Sequence, residues 1–298
     1  MPVLTLPFGM WDGHVHSGWA RHGRDPHDTT EAFVLEAVAL GLTRITFTEH
    51  PLFPSGRIDP ELHRAVYLSP QELDAYVRTV LGLRDRFAGR IDVRLGFEVD
   101  YVPGDPDFPM TYLSRYAPWV RDAVLSVHFL PGRSESSTSP LRRCGALFPL
   151  DVTAEAFRQD LLSGPEDLNA VRSRYWRTVE EAVREAQSWH TGIAWRIGHL
   201  DVVGKFTRAL GPFDRARDHD RALRTLETIA EAGFALDVNA SGIDVDERRE
   251  VYPEPDLLRE AMRLGVPLVY GSDAHRSRDV GRHRAKLRAL VLELARDL

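Results

Sequence analysis

The chain has 298 residues, 43% of them hydrophobic and 28% charged, with a formal net charge of -6. That length can bury a full α/β core, and the acidic balance argues against a general nucleic-acid surface, which is normally basic. Cys144 is the only cysteine, so no internal disulfide can form. Met1 to Met10 has no basic, apolar leader and no run of about 18 apolar residues occurs, so a cytoplasmic protein away from the membrane is expected.

Short apolar runs alternate with amphipathic stretches along the chain. The first run, Met10–Val15, is followed by a helix capped by Asp28, with Glu31 three residues on. Phe33, Ala37 and Leu40 form its stripe and Gly41 ends it. The second run, Arg44–Thr48, precedes a capping box at Ser69-Pro70-Gln71-Glu72, after which Leu73, Tyr76, Val77 and Val80 mark a buried face. Val93–Val99 and Ala123–Val127 come next. Pro131–Pro149, rich in serine at its centre, reads as a loop insertion at 131-149. Helices over Leu168–Trp189, Asp220–Ala232 and Pro255–Leu264 lead into the runs Ile193–Ile197, Phe234–Val238 and Pro267–Tyr270, and a last helix covers Arg282–Arg296. Strands this continuously apolar are covered on both faces, as in a parallel sheet. Seven βα units without a composition shift read as one barrel in a single domain, with an open doubly wound sheet as the competing architecture.

The histidines and carboxylates fall where these runs end. Asp12, His14 and His16 close the first, Glu49 and His50 the second, and Glu98 and Asp100 the third. His128 follows the fourth, His199 and Asp201 the fifth. Asp237 and Asn239 close the sixth, and Asp273 and His275 follow the seventh. Loops at the carboxyl ends of parallel strands build the active site in such folds. A lone buried histidine is more often a hydrogen-bonded core residue than a ligand. Five histidine-bearing strand ends on one face are different, because without a cation they carry a large desolvation and repulsion cost. The metal reading therefore covers His14, His16, Glu98, His128, His199, Asp273 and His275. His14 and His16 project to one face of an extended segment, and Asp273 and His275 repeat that spacing. Ligands without cysteine suit zinc, iron or manganese. His27, His63, His190, His219 and His283 lie in helices or loops and are assigned to incidental roles.

In these residues the chain resembles the polymerase-and-histidinol-phosphatase (PHP) superfamily, and within it the histidinol-phosphate phosphatase branch. The resemblance rests on Asp12-Gly13-His14-Val15-His16, Phe47-Thr48-Glu49-His50, Gly96-Phe97-Glu98-Val99-Asp100, Ser126-Val127-His128, Ile197-Gly198-His199-Leu200-Asp201, Leu236-Asp237-Val238-Asn239 and Gly271-Ser272-Asp273-Ala274-His275. It implies a distorted (β/α)7 barrel with three divalent metal ions. One would be held by His14, His16, Glu98 and Asp273, and a second by Glu98, His128 and His199. The third would be held by His22, His50 and His275. Of these, His22 is supplied by the resemblance alone.

The expected reaction is hydrolysis of L-histidinol phosphate. Two metals sharing a water lower its pKa, and the resulting hydroxide would attack phosphorus in line. Glu98, Asp273 and His275 are the expected catalytic residues. Lys205, Arg276 and Asn239 are candidate substrate contacts, Asn239 alternatively tying its own loop. Asp12 and Asp201, adjacent to ligands, are expected to orient imidazoles. The expected partner is a small phosphomonoester, with no nucleic acid and no membrane. Two alternatives stand: a PHP phosphoesterase acting on another phosphate ester or nucleotide, and a metal-binding domain without catalysis.

Overall fold

The computed structural model describes residues 9–23, 25–132, 146–162 and 167–298. The first four strands, β1 (Trp11–Val15), β2 (Arg44–Glu49), β3 (Asp92–Asp100) and β4 (Asp122–Ser126), lie side by side in parallel. β5 (Phe129–Pro131) and β6 (Leu147–Pro149) form a separate antiparallel pair. β7 (Ala194–Ile197) then pairs with β4, and β8 (Ala235–Asn239) and β9 (Leu268–Gly271) complete a seven-stranded parallel sheet. Each barrel strand matches its expected apolar run to within one residue at either end.

The sheet's two edges meet, which decides against the open architecture. Closure is sparse. His16 N donates to the Ala274 carbonyl at 2.9 Å and Asp273 N to the His14 carbonyl at 2.8 Å, around one bridge between Val15 and Ala274. By contrast, β2 and β3 pair continuously from Arg44 opposite Asp92 to Glu49 opposite Phe97. The result is a distorted (β/α)7 barrel, with β1 and β9 at its weakest join. The amino-terminal end of the interior is plugged by polar groups. Buried Arg196 donates to Asp122 at 2.6 Å and to the Gly13 carbonyl, with Trp11 beside its guanidinium.

The helices wrap this barrel: α1 (Thr30–Ala39), α2 (Pro60–Val66), α3 (Pro70–Arg86), α4 (Met110–Tyr116), α5 (Ala154–Leu161), α6 (Leu168–Ser188), α7 (Thr207–Leu210), α8 (Arg215–Glu231), α9 (Pro255–Arg263) and α10 (Arg284–Leu294). The box at α3 forms as expected, with Glu72 accepting from Ser69 N at 2.8 Å and Ser69 Oγ from Glu72 N at 3.3 Å. At α1 the cap is Thr29, not Asp28. Thr29 Oγ1 accepts from Ala32 N, while Asp28 accepts from the backbone and hydroxyl of Ser277. Leu40 sits at the carboxyl cap and is 46% exposed, and Val34 takes its place in the buried stripe. α8 begins earlier than expected, capped by Asp214. The hairpin β5–β6 holds the ends of the stretch expected as an insertion, and residues 133–145 lie outside the described residues. Its base is fixed by bonds from Leu147 N to the Arg57 carbonyl at 2.7 Å and from Leu150 N to the His128 carbonyl at 2.8 Å. Among the described residues, no helix is long and apolar enough to cross a membrane.

Candidate metal centre

Parallel strands deliver their carboxyl ends to one side of the barrel, and Glu98 near the end of β3 stands at the middle of the groups collected there. It is 1% exposed. Its Oε2 lies 3.2 Å from His14 Nε2, 3.3 Å from His16 Nε2 and 3.4 Å from His50 Nε2. Its Oε1 accepts from Ser126 Oγ at 2.8 Å and lies 2.8 Å from His199 Nε2 and 3.5 Å from His128 Nε2. One carboxylate therefore faces a different group of imidazoles with each oxygen. Among the described residues, four sets bring their ligand atoms within 4.8 Å of one another: His14 with His16 and Glu98, Glu98 with His128 and His199, His16 with Asp273 and His275, and His50 with Asp100 and His128.

The imidazoles are aimed by carboxylates on their far nitrogens. Asp237 lies 2.7 Å from His14 Nδ1, Glu49 3.1 Å from His16 Nδ1 and Asp100 2.6 Å from His128 Nδ1. Glu49 is itself held by the Ser17 hydroxyl at 2.7 Å, and Asp100 by the Tyr67 hydroxyl at 2.6 Å. Such partners fix the tautomer and direct Nε2 at the metal position. Asp12 and Asp201, expected in this role, do something else. Asp12 accepts from Ser272 N and Gly281 N, and Asp201 pairs with Arg248 at 2.9 Å. The β1–β2 register shifts between Asp12 and Val15, breaking the alternation that would have turned Asp12 inward. Asp201 sits at φ 72, and its carboxylate is taken up by Arg248 and by the Glu254 backbone N–H at 3.2 Å.

Two of the candidate ligand positions carry backbone strain. His199 at φ 23 and Asp273 at φ 54 occupy the left-handed region, which a side chain tolerates only where the surroundings impose it. Arg282 holds the second turn by donating to the Ser272 carbonyl at 2.6 Å and the Asp273 carbonyl at 2.8 Å.

The electrostatics match a cation position. Burial opposes charge on His14 and His128, yet the carboxylates of Asp237 and Glu98 around the first, and of Asp100 and Glu98 around the second, lift each to about 10. Burial would also raise Glu98, but the surrounding histidines hold it well below the ordinary carboxylate range. His22 is driven down to about 4 by burial and by its neighbours His50 and His16. Buried His16 Nε2 and His199 Nδ1 have no hydrogen-bond partner among the described residues. Carboxylates packed among imidazoles, with buried ring nitrogens left unpartnered, together fit oxygen- and nitrogen-ligated divalent cations.

The other candidates separate clearly. His22 enters none of the four sets, but its Nε2 lies 2.8 Å from His275 Nε2 and its ring centroid 5.6 Å from that of His50. Lys205 lines the cavity over the cluster, its Nζ donating to the Asp151 carbonyl at 2.7 Å. Asn239 is buried and ties its loop, accepting from the Ser241 backbone and hydroxyl while its amide reaches Asp237 at 2.9 Å. Arg276 is exposed and turned aside to the Gly23 carbonyl, and Arg282 stands on the cavity wall instead. The cavity measures about 420 Å³ and has Leu62, Val66, Phe129 and Val202 among its apolar lining.

A parallel barrel with histidine–carboxylate sets at its strand ends is the architecture of a metal-dependent hydrolase, and over residues 12–241 the chain matches the PHP domain family, to which it belongs. It is 33% identical over 272 residues to the histidinol-phosphatase of Bacillus subtilis (strain 168), covering 91% of this chain and 95% of the relative. A probable histidinol-phosphatase of Deinococcus radiodurans is 31% identical over 274 residues, covering 92% and 89%. Its place in the family is the histidinol-phosphatase branch. The structure of the putative histidinol phosphatase of Listeria monocytogenes superposes with a TM-score of 0.82 at 27% identity, covering 93% of this chain and 99% of that one. The fold is shared also with histidinol phosphate phosphatase from Lactococcus lactis, solved with zinc, L-histidinol and phosphate, at TM-score 0.66 and 20% identity over 95% and 93% of the chains.

Proposed function

We propose that the chain hydrolyses L-histidinol phosphate to L-histidinol and phosphate. The observation that carries this reading is Glu98, whose two oxygens face separate imidazole groups, the arrangement needed to join two cation sites beneath a small cavity. His14, His16, Glu98 and Asp273 would hold one cation, and Glu98, His128 and His199 the other. A third would sit by His275, with His22 and His50 or with His16 and Asp273. Divalent metals bound there supply Lewis acidity, neutralising phosphate charge and lowering the pKa of water. The protein's own contribution is positioning and charge. Asp237, Glu49 and Asp100 keep the imidazoles aimed, and Lys205, braced on the Asp151 carbonyl, offers a cation to the incoming phosphate. The apolar wall excludes water from the ester and suits the carbon skeleton of a small leaving alcohol.

The test is a steady-state comparison of L-histidinol phosphate with nucleotides and sugar phosphates. A kcat/KM preference of roughly 100-fold, about 2.7 kcal/mol of differential transition-state stabilisation, is expected. Equal turnover of the panel would point to a different ester.

A further inference from the structure

Tyr252 lines the metal-facing cavity and is 2% exposed, yet its hydroxyl has no hydrogen-bond partner among the described residues. Buried phenols are ordinarily paired, because an unmade bond costs the full desolvation of the group. The side chain is also held firmly. Its backbone is tied to the end of β8 by reciprocal bonds with Asn239, at 2.8 and 3.1 Å. The Arg248 guanidinium lies 4.0 Å over its ring, fixed by Asp201 and by the Val251 carbonyl. Below the ring sits Gly242, where an added Cβ would come within 2.7 Å of a ring carbon. The ring meets that of His199 edge-on, at 6.3 Å between centroids. A neutral O–H is thus locked in place beside the Glu98–His128–His199 set, with nothing among the described residues to accept its hydrogen bond.

We propose that the Tyr252 hydroxyl is a substrate-binding group that donates a hydrogen bond to a non-bridging phosphate oxygen. The inference rests on the phosphatase reading of the site. Phosphate oxygens only accept, which suits a donor without a partner, whereas an ammonium only donates. A substrate ammonium would find a stronger acceptor in the Asp151 carboxylate on the same cavity wall. Burial keeps the phenol protonated, pushing it well above its ordinary range against the pull of Arg248.

The variant Tyr252→Phe keeps the ring and its contacts and deletes only the donor. Binding of inorganic phosphate to the metal-loaded protein, followed by calorimetry, should weaken about 10-fold or more, as for a lost bond to a charged acceptor. Product inhibition by L-histidinol, metal content and Tm should all stay as in the wild type. Unchanged phosphate affinity overturns the proposal and leaves the hydroxyl as a group satisfied by water. Weakened L-histidinol binding with intact phosphate binding also overturns it, since the hydroxyl would then read the leaving group. A Tm lowered by several degrees would reveal a structural partner and count equally against it. Wild-type protein that binds phosphate but does not turn over L-histidinol phosphate would instead sink the substrate reading alone.

Discussion

Single residues here do two kinds of work, and substitutions separate them. Glu98→Ala removes the oxygen donors common to two sets, so both metal content and phosphatase activity should fall together, activity by about 1,000-fold or more. Metal analysis alongside turnover checks this, and survival of both would refute the bridged arrangement. Asp237→Asn leaves every ligand in place but weakens the hold on His14 Nδ1, with an expected loss of about 10- to 100-fold in metal affinity. A titration of metal-depleted protein measures it. The Glu98-centred cluster was legible in the sequence because position at a strand's carboxyl end is a local property. Which carboxylate steadies which imidazole was not. Asp237 and His14 are 223 residues apart and meet only because barrel closure sets β8 and β1 on either side of β9. Asp12 and Asp201 are nearer in sequence to ligands, but a register shift and a left-handed turn send them elsewhere. Arg276 follows His275 directly, yet Arg282 reaches the cavity because the chain turns back there.

At the scale of elements, strands were readable almost to the residue, since burial on both faces leaves an unbroken apolar run. Short helices such as α2 and α4 were not, because seven residues carry too few turns to show a period. The hairpin β5–β6 was hidden for a related reason, with three residues in each arm. Where a start signal was strong, its energetics can be tested. Burial pushes the Glu72 carboxyl up, but bonds from Ser69 and the Arg21 guanidinium outweigh it and hold the group below its ordinary value of 4.5. A depressed folded pKa means stabilisation that is complete above the unfolded value and is lost as pH falls through the folded one. Glu72→Gln should therefore cost about 0.5 kcal/mol at neutral pH, a partly exposed charge being discounted for solvent screening. The difference from wild type should vanish on acidification. Urea midpoints across the acid range test this, and a gap that persists at low pH would show that charge is irrelevant to the cap.

For the whole molecule, the join between β1 and β9 is the informative place. Two backbone bonds close it, and the residues on either side are His14 and His16 against Asp273 and His275. Cations gripping both edges at once would act as the main fastening of the barrel, adding the free energy of ligand binding to folding. Chelation should lower Tm by roughly 5–10 °C. Hydrogen exchange should accelerate first at residues 14–16 and 272–275, while β2 and β3 stay protected. Uniform acceleration, or none at the join, would mean that the barrel closes without help from metal.

A barrel fastened there by cations would also tie the protein's lifetime to the supply of its ions. A cell starved of metal would not simply store an idle enzyme ready for reloading. It would hold a chain that opens along one side and is exposed to proteases there, so that the amount of protein, as well as its specific activity, follows the metal available.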